Sequence, residues 1–223
     1  MAESTGKPEA GSPDNTVPKA VVSRLSLYLR ELERLVRGGQ ATTSSTQLGS
    51  TLGCSDAQVR KDLAYFGQFG YPGIGYKCEE LIAAIRQILG TDRSWPVALV
   101  GLGNLGRALL RYRGCQAQGF RIAAAFDVDP AKIGTEVEGI PVYAMDQIAN
   151  LVGQSQIRLA IIAVPAASAQ AVADELVAAG IDGMLNFAPV TIAVPPEAKV
   201  VGVDVAIELE QLSFAVVNRT EKS

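Results

Sequence analysis

The segment PVALVGLGNLGRALLRY, residues 96–112, carries the strongest structural signal in this chain of 223 residues. Its first five residues form a short, almost wholly apolar run, which is typical of a parallel strand buried on both faces. The glycine-rich stretch GLGNLG follows directly, and the apolar spacing after it predicts a helix that continues through Tyr112. Strand, glycine-rich turn and helix in this order predict the phosphate-binding end of a Rossmann fold.

Each glycine of the predicted turn has a physical role of its own. Gly101 permits the tight turn, Gly103 lets the backbone approach a pyrophosphate, and Gly106 lets the helix pack against the strand. The helix N-terminus then attracts the phosphates through its dipole. Asp127 ends a second predicted strand 21 residues after Gly106, where a carboxylate accepts hydrogen bonds from a ribose diol and repels a 2′-phosphate. The spacing therefore favours NADH and NAD+ over NADP; a Rossmann-like domain that binds CoA, or no nucleotide, is the alternative.

The rest of this region alternates strands with helices. Strands are predicted at residues 121–126, 158–164, 183–187 and 200–203, and a helix at 167–179. The alternation predicts an α/β fold with a doubly wound parallel sheet, in a domain of residues 91–204. The predicted cofactor site comprises Gly101, Leu102, Gly103, Asn104, Leu105 and Gly106 in the turn, Asp127 after the second strand, and Val164, Pro165, Asn186, Phe187, Ala188 and Pro189 after two later strands.

The chain lacks two arrangements with which dehydrogenases commonly move a proton. It contains no histidine, and none of its six tyrosines has a lysine four residues later, the arrangement that short-chain dehydrogenases use. The residues expected near the nicotinamide, 165–168 and 186–190, are largely apolar. An apolar pocket distinguishes the two redox forms because the oxidised ring is a cation that resists desolvation. This pattern favours a sensor without catalytic residues; an NAD-dependent oxidoreductase with an N-terminal interaction domain is the alternative.

The first part of the chain predicts a winged helix-turn-helix domain of residues 17–90. Apolar residues at helical spacing, capping signals and glycine stops predict helices at 21–36, 44–52, 55–66 and 79–89. The segment 67–76 is rich in glycine and aromatic residues and predicts a β-hairpin, or wing, directly after the third helix. Ser44 with Gln47, and Ser55 with Gln58, have the spacing of capping boxes, in which each glutamine reaches back to the start of its helix.

The third predicted helix has one face that suits DNA. Its apolar face comprises Val59, Leu63 and Phe66, and the opposite face comprises Ala57, Lys61 and Tyr65, flanked by Gln58 and Arg60. Residues 17–90 carry nine Lys or Arg against six Asp or Glu, whereas residues 91–223 carry ten against fourteen. The basic excess, the capped third helix and the wing together favour double-stranded DNA as the partner of this domain. A small helical domain with a hairpin and no DNA contact is the alternative.

Three features of the composition bear on the tail, the location and the cysteine chemistry of the protein. Residues 1–16 are polar and rich in Pro, Gly and Ser, which predicts a disordered tail. The chain shows neither the apolar core of a signal peptide nor a stretch of about 20 apolar residues, so we expect a cytoplasmic protein. Cys54, Cys78 and Cys115 are an odd count without CxxC spacing, which indicates neither a disulfide framework nor a metal site.

The C-terminal segment, residues 205–223, predicts a helix with two apolar faces. One face comprises Val205, Leu209, Leu212 and Val216, and the other comprises Ile207, Phe214 and Val217. Such a helix needs cover on both sides. Packing on the chain's own sheet is one way to provide it.

These residues together closely resemble the Rex family of bacterial redox-sensing transcriptional repressors. The most specific matching segments are SRLSLYLRELERL (23–35), TTSSTQLGSTLG (42–53), DAQVRKDLAYFGQFGYPGIGY (56–76), GLGNLG (101–106), AAFDVDP (124–130) and MLNFAPV (184–190). The similarity spans residues 17–217. It implies a homodimer that binds a palindromic operator when NADH is low, leaves it when NADH rises, and controls genes of respiration and NADH reoxidation. It also implies that the C-terminal helix is swapped between the subunits.

The resemblance assigns further roles, residue by residue. The expected DNA-contacting residues are Ser55, Gln58, Arg60, Lys61, Tyr65, Phe69, Tyr71 and Tyr76, on the third helix and the wing. Arg30, Tyr112 and Asp204 match family positions implicated in the ligand-dependent rearrangement between domains. We therefore expect these three residues to form the switch.

Overall fold

A computed structural model describes residues 17–220, with the side chain of Thr220 excepted. The tail predicted at residues 1–16 lies outside the described residues, as do residues 221–223. By its internal contacts the chain divides into two compact units after Asp92, two residues beyond the predicted boundary. Each unit has its own hydrophobic core.

The N-terminal unit is mainly helical. Its elements are α1 (Lys19–Arg37), β1 (Thr42–Thr43), α2 (Ser45–Leu52), α3 (Asp56–Ala64), β2 (Tyr76–Lys77) and α4 (Cys78–Leu89). The apolar stripe of each helix faces a shared core that includes Leu25, Tyr28, Leu32, Leu48, Val59, Leu63, Leu81 and Ile85. The four predicted helices are therefore present, with ends that differ by a few residues.

The starts of α2 and α3 follow the predicted capping only in part. The hydroxyls of Ser44 and Ser55 accept hydrogen bonds from the backbone N–H groups of Gln47 and Gln58, both at 3.1 Å. The return bonds of a capping box are not formed by these glutamines. The Gln47 side chain bonds Gln40 and Thr43 instead, and the Gln58 amide donates to the carboxylate of Asp62.

The predicted wing is present as a tight antiparallel turn. A single bridge joins Tyr71 to Gly75, and the chain then enters β2, which pairs antiparallel with β1 from the loop before α2. Gly73 and Gly75 adopt positive φ angles of 74° and 86°, which closes a tight turn rather than a two-stranded ribbon. The wing of this chain, residues 67–75, is therefore a glycine-shaped loop next to a short separate ladder.

The C-terminal unit is a seven-stranded sheet with helices. Its elements are β3 (Trp95–Val100), α5 (Asn104–Arg111), α6 (Arg113–Ala117), β4 (Phe120–Phe126), β5 (Glu136–Val137), β6 (Ile140–Tyr143), a 3₁₀ turn (Met145–Gln147), α7 (Ile148–Ser155), β7 (Leu159–Ile162), α8 (Ala166–Ala178), β8 (Gly183–Asn186), β9 (Lys199–Gly202) and α9 (Val205–Thr220). The strand order is β5-β6-β4-β3-β7-β8-β9, and every pair except β5–β6 is parallel.

The sheet runs outward in both directions from β3, which places the topological switch point at the carboxyl ends of β3, β4 and β7. Val97 and Leu99 of β3 belong to one hydrophobic cluster and Ala98 and Val100 to another, as expected for a strand covered on both faces. The doubly wound parallel sheet is thus present, whereas β5, β6, α6 and α7 were not predicted.

Two details of the C-terminal unit bear on function. The predicted helix through Tyr112 is interrupted: α5 ends at Arg111, Tyr112 is extended (ψ 104°), and α6 begins at Arg113. The helix α9 leaves the large apolar side chains of both predicted faces exposed, including Leu209, Leu212 and Phe214, the last to 72%.

Within residues 17–220, no helix has the length and apolar character needed to cross a membrane.

Candidate functional site

The glycine-rich turn after β3 requires glycine at two positions for steric reasons. Gly101 has φ 95°, and a Cβ there would lie 2.5 Å from the carbonyl oxygen of Ala163 at the end of β7. A Cβ at Gly106 would overlap the carbonyl oxygen of Gly101. These contacts let α5 start close against the ends of β3 and β7, as the spacing of the motif predicts.

Gly103 differs from the other two glycines because it faces open space. It is the N-cap residue of α5, no side chain caps this helix end, and a Cβ at Gly103 would meet no protein atom within 4 Å. The first backbone N–H groups of α5 are therefore available, and the positive end of the helix dipole lies beside them. This geometry fits an anionic group such as a pyrophosphate.

Asp127 connects the end of β4 to the glycine-rich turn. Its carboxylate is 7% exposed and accepts hydrogen bonds from the backbone N–H groups of Leu102 (2.7 Å) and Asp129 (2.9 Å) and from Lys132 Nζ (3.1 Å). Burial alone would raise the pKa of Asp127, but these hydrogen bonds and the Lys132 charge outweigh it and keep the pKa below its ordinary value. Asp127 thus positions the turn as a stable anion, a role beyond the expected ribose contact.

A cavity of about 260 Å³ lies at the switch point. Its lining brings together six of the predicted cofactor residues: Gly101, Leu102, Gly103, Asp127, Val164 and Pro165. The lining also includes Ser168, which we expected near the nicotinamide, and Val128, Lys132 and Met145, which we had not placed in the site. Lys132 is the residue with the clearest chemistry, and the signal available in the sequence was a lysine five residues after the motif aspartate.

The loop after β8 lies at a separate cavity. Asn186, Ala188 and Pro189 line a space of about 380 Å³ together with Asp204 and Ile207, and none of the three lines the first cavity. The Asn186 side chain is buried; it donates to the carbonyl oxygens of Ala188 and Val190 and accepts from the Ala188 N–H. The Asn186 side chain thus holds its own loop, and its contact with a ligand stays a prediction. Phe187 packs, partly buried, against the sheet.

The exposed face of α3 carries the predicted cation of the recognition helix. Lys61 and Tyr65 are exposed, and Val59 and Leu63 are buried on the opposite face. Arg60 Nη1 donates to Asp56 Oδ2 (2.7 Å) and to Ser45 Oγ (2.9 Å), so its guanidinium joins the starts of α2 and α3. Its exposed remainder leaves Arg60 able to reach a phosphate as well.

A buried charge network fixes α3 against α1. Asp62 on α3 is fully buried and accepts hydrogen bonds from Arg24 Nε (2.5 Å) and Nη2 (2.8 Å), from Tyr28 Oη (2.8 Å) and from Gln58 Nε2 (2.7 Å). Gln58 uses its amide nitrogen in this hydrogen bond, and its side chain is half-buried. Only the remaining polar atoms of Gln58 are free for the expected contact with DNA. The sequence patterns gave no sign of this network.

The wing residues divide into exposed and buried groups. Tyr71 is exposed, its hydroxyl donates to Glu80 on α4 (2.9 Å), and Lys77 Nζ lies 4.7 Å from the centre of its ring. Phe69 packs, partly buried, against the core of this unit. Tyr76 is buried in that core, and burial raises its pKa. β2 turns the side chain of Tyr76 inward, which leaves 8% of the residue exposed; its contact with DNA stays a prediction.

The three residues expected to form the switch lie in both units. Arg30 is exposed on α1 in the N-terminal unit. Tyr112 is 61% exposed at the break between α5 and α6, and its ring lies so close to Gly114 that any Cβ there would displace it. Asp204 precedes α9, and its carboxylate caps that helix by accepting from the Ala206 N–H (2.9 Å).

Comparisons with known proteins agree with both halves of this description. A family model described as "Putative DNA-binding protein N-terminus" matches residues 16–64, and one described as "CoA binding domain" matches residues 92–190. The chain is 46% identical over 203 residues to the redox-sensing transcriptional repressor Rex of Desulfitobacterium hafniense, covering 91% of this chain and 97% of the relative. It is 44% identical over 198 residues to Rex of Streptomyces avermitilis, covering 89% and 79%.

Solved structures give the same relationship. The crystal structure of RSP in complex with β-NAD+ and operator DNA has a TM-score of 0.87 and 32% identity, and it covers 93% of this chain and 95% of that one. RSP, described as a Rex-family repressor, in complex with β-NADH has a TM-score of 0.82 and 30% identity, covering 93% and 97%. By identity and coverage, this chain belongs to the Rex family of redox-sensing transcriptional repressors.

Proposed function

We propose that this chain is a repressor that binds a palindromic operator as a homodimer when NADH is low and leaves the operator when NADH rises. Its targets in this proposal are genes of respiration and NADH reoxidation. The observation that carries the proposal is the combination, in one chain, of an uncapped glycine-rich turn at the switch point of the sheet and a helix with an exposed lysine in the N-terminal unit.

The dinucleotide half of the proposal rests on the turn at residues 101–106. Gly103 leaves room in front of the free N–H groups of α5, which suits a pyrophosphate, and Asp127 retains a lone-pair position that suits a ribose hydroxyl. When bound, NADH or NAD+ supplies the redox signal through the charge of its nicotinamide ring. The apolar residues Val164 and Pro165 line the same cavity and favour the neutral, reduced ring.

The DNA half of the proposal rests on α3 and the wing. Lys61, Arg60 and Tyr65 offer exposed donors and an aromatic edge on one side of a helix of nine residues, which is long enough to enter a major groove. Ser55 adds a hydroxyl at the start of that helix. Phe69 and Tyr71 remain the candidate wing contacts, since Tyr71 is exposed.

The homodimer in this proposal rests on α9. Its apolar side chains on both faces are exposed in the single chain, and burial of such a helix stabilises an assembly by roughly 25 cal/mol for each Å² removed from water. We infer that α9 is swapped into a second copy. Exposed Arg30, Tyr112 at the helix break, and the cap residue Asp204 then provide the groups whose contacts change with the ligand.

A titration of the dimer with DNA tests the proposal. A palindromic duplex is first enriched from a random-sequence pool by the protein itself, and binding is followed by fluorescence anisotropy at fixed salt with NADH or NAD+ added. We expect NADH to weaken binding roughly 5- to 150-fold, the range of ordinary allosteric coupling, and NAD+ to oppose that effect. Enrichment of no sequence, or equal effects of the two nucleotides, would overturn redox-controlled repression.

The family model for residues 92–190 makes CoA a second candidate ligand. Competition between CoA and bound NADH, followed by the fluorescence of the reduced nicotinamide, separates the two ligands. CoA carries a 3′-phosphate on its adenosine and a pantetheine arm in place of the nicotinamide riboside. Displacement of bound NADH by CoA at equal or lower concentration would favour the CoA interpretation. Failure of CoA to compete would favour the nicotinamide dinucleotide.

A further inference from the structure

Lys132 lines the cavity of about 260 Å³ at the switch point, and it is not one of the residues of the glycine-rich motif. Its side chain is 23% exposed and lines the same cavity as Gly101 and Gly103. The ammonium is 3.1 Å from Asp127 Oδ2 and 3.5 Å from Asp129 Oδ2. One ammonium therefore lies between two carboxylates at the end of β4.

The backbone around Lys132 is fixed by the turn that follows β4. Lys132 N–H donates to the Asp129 carbonyl oxygen (3.0 Å), and the Lys132 carbonyl oxygen accepts from Thr135 N–H (3.1 Å) and Thr135 Oγ1 (2.6 Å). The Asp129 side chain accepts from Ala131 N–H (3.0 Å) in the same turn. The lysine is thus held beside Asp127 by local hydrogen bonds on both sides of it, so its place in the cavity does not depend on a ligand.

The neighbours of Asp127 change what this carboxylate can do for a ligand. An ionised carboxylate has about four lone-pair positions, and Leu102 N–H, Asp129 N–H and Lys132 Nζ take three of them. One position remains for a ribose hydroxyl. The charge near that position is the sum of two carboxylates and one ammonium, rather than that of one isolated aspartate, and a cation so placed attracts phosphate oxygens.

We propose that Lys132 is a specificity-determining residue of the dinucleotide site, which moderates the rejection of a 2′-phosphate by Asp127 and Asp129. On this assignment, which rests on the proposed function, the chain prefers NADH, yet its preference over NADPH is smaller than the two carboxylates alone would impose. Lys132 acts on the ratio of the two affinities, because the extra phosphate of NADPH is the group that responds most to the charge.

The test measures the Kd of NADH and of NADPH for each variant of the full chain, from the fluorescence of the reduced nicotinamide. Lys132→Met keeps the unbranched shape and most of the length of the side chain and removes its charge. We expect the ratio of the Kd of NADPH to the Kd of NADH to rise roughly tenfold, since a charge-assisted contact to phosphate is lost. Lys199→Met, on β9 and outside the cavity lining, is the matched control and should leave the ratio unchanged.

Asp129→Asn changes the same balance in the opposite direction without risk to the fold. Asp129 is half-exposed, and asparagine keeps the Oδ1 acceptor for Ala131 N–H. Removal of its charge should lower the ratio roughly threefold or more. Ratios that stay within twofold of the unmodified protein in both variants would overturn the role of Lys132. A chain that binds neither NADH nor NADPH would instead overturn the proposed function, and the two failures are therefore distinguishable.

Discussion

Arg24 and Asp62 are joined by two parallel hydrogen bonds of 2.5 and 2.8 Å, which tie the first helix of the N-terminal unit to the helix that carries Lys61. Asp62 is fully buried. Burial alone would raise its pKa, but the hydrogen bonds from Arg24, Tyr28 and Gln58 outweigh that effect and keep the pKa of Asp62 below its ordinary value. The exposed face of α3 is therefore oriented by a charge on its hidden face.

Removal of the buried carboxylate should destabilise the N-terminal unit strongly. Asp62→Ala leaves the guanidinium of Arg24 and the hydroxyl of Tyr28 without their acceptor, so we expect a loss of about 3 kcal/mol in the free energy of unfolding, measured by urea denaturation. Glu79→Ala, at an exposed position of α4, is the control and should change little. A loss below about 1 kcal/mol for Asp62→Ala would mean that the network adds no net stability.

The same carboxylate predicts how stability depends on pH. Because the pKa of Asp62 is lower in the folded than in the unfolded chain, its stabilisation is complete above the unfolded pKa of about 4 and is lost as the pH falls toward the folded pKa. Urea titrations between pH 6 and pH 3 should show a smaller acid loss for Asp62→Asn than for the unmodified chain, with Asp127 contributing to the loss that remains. Parallel pH curves for the two proteins would contradict this account.

Gly103 separates folding from ligand binding. A Cβ at this position meets no protein atom within 4 Å, so Gly103→Ala should fold normally, yet it occupies the space through which a pyrophosphate approaches α5. We expect the Kd for NADH to rise roughly tenfold or more, with no loss of thermal stability. Gly153→Ala also faces open space, on α7, and serves as the control that should keep the affinity. Unchanged affinity in Gly103→Ala would exclude an approach of the ligand over this residue.

Lys61 is the cation on α3 that we expect to contact a phosphate. For Lys61→Ala we expect weaker binding to every duplex and a plot of log K against log salt that is shallower by about one, the signature of one lost phosphate contact. Lys199→Ala, in the other unit, should leave the slope as it is. A loss confined to one base position would instead assign Lys61 to a base edge.

The apolar residues of α9 predict the oligomeric state. Leu209→Asp with Phe214→Asp places charge on each of its two apolar faces, and we expect the protein to become a monomer that binds a palindromic duplex at least roughly tenfold more weakly. Sedimentation equilibrium gives the mass, and anisotropy gives the affinity. Glu210→Gln, on the same helix, changes the charge of α9 without altering either apolar face, and it is the control that should remain a dimer. A dimer of unchanged stability would show that α9 does not form the interface.

Local rules account for the parts of the fold and site that the sequence predicted correctly. Gly106 is required by its contact with Gly101 within one strand–turn–helix unit, and a buried strand such as β3 needs only an apolar run to be recognised. Ser44 and Ser55 cap their helices through bonds three residues away. In each case the residues that interact are close in the chain.

The parts that were missed depend on contacts between distant segments or on competing partners. The pairing of β2 with β1 was not predicted, because β1 is a strand of two residues whose pattern is too short to detect. No sequence pattern marked Asp62, because its main partners, Arg24 and Tyr28, lie on α1, more than 30 residues away in the chain. The three hydrogen bonds by which Asn186 holds its own loop were likewise not predicted, because the sequence does not show which groups compete for a side-chain amide.

The exposed apolar helix α9 has a consequence for how the protein works at different abundances. If a second copy covers α9, the stability of the protein depends on its concentration. Dilution favours the monomer, in which the apolar side chains of α9 are exposed to water. In a cell that makes few copies, a smaller fraction of the chains would then be dimers able to bind an operator. Repression would therefore fall more steeply than the amount of protein. The number of chains, alongside the redox state, becomes an input to repression.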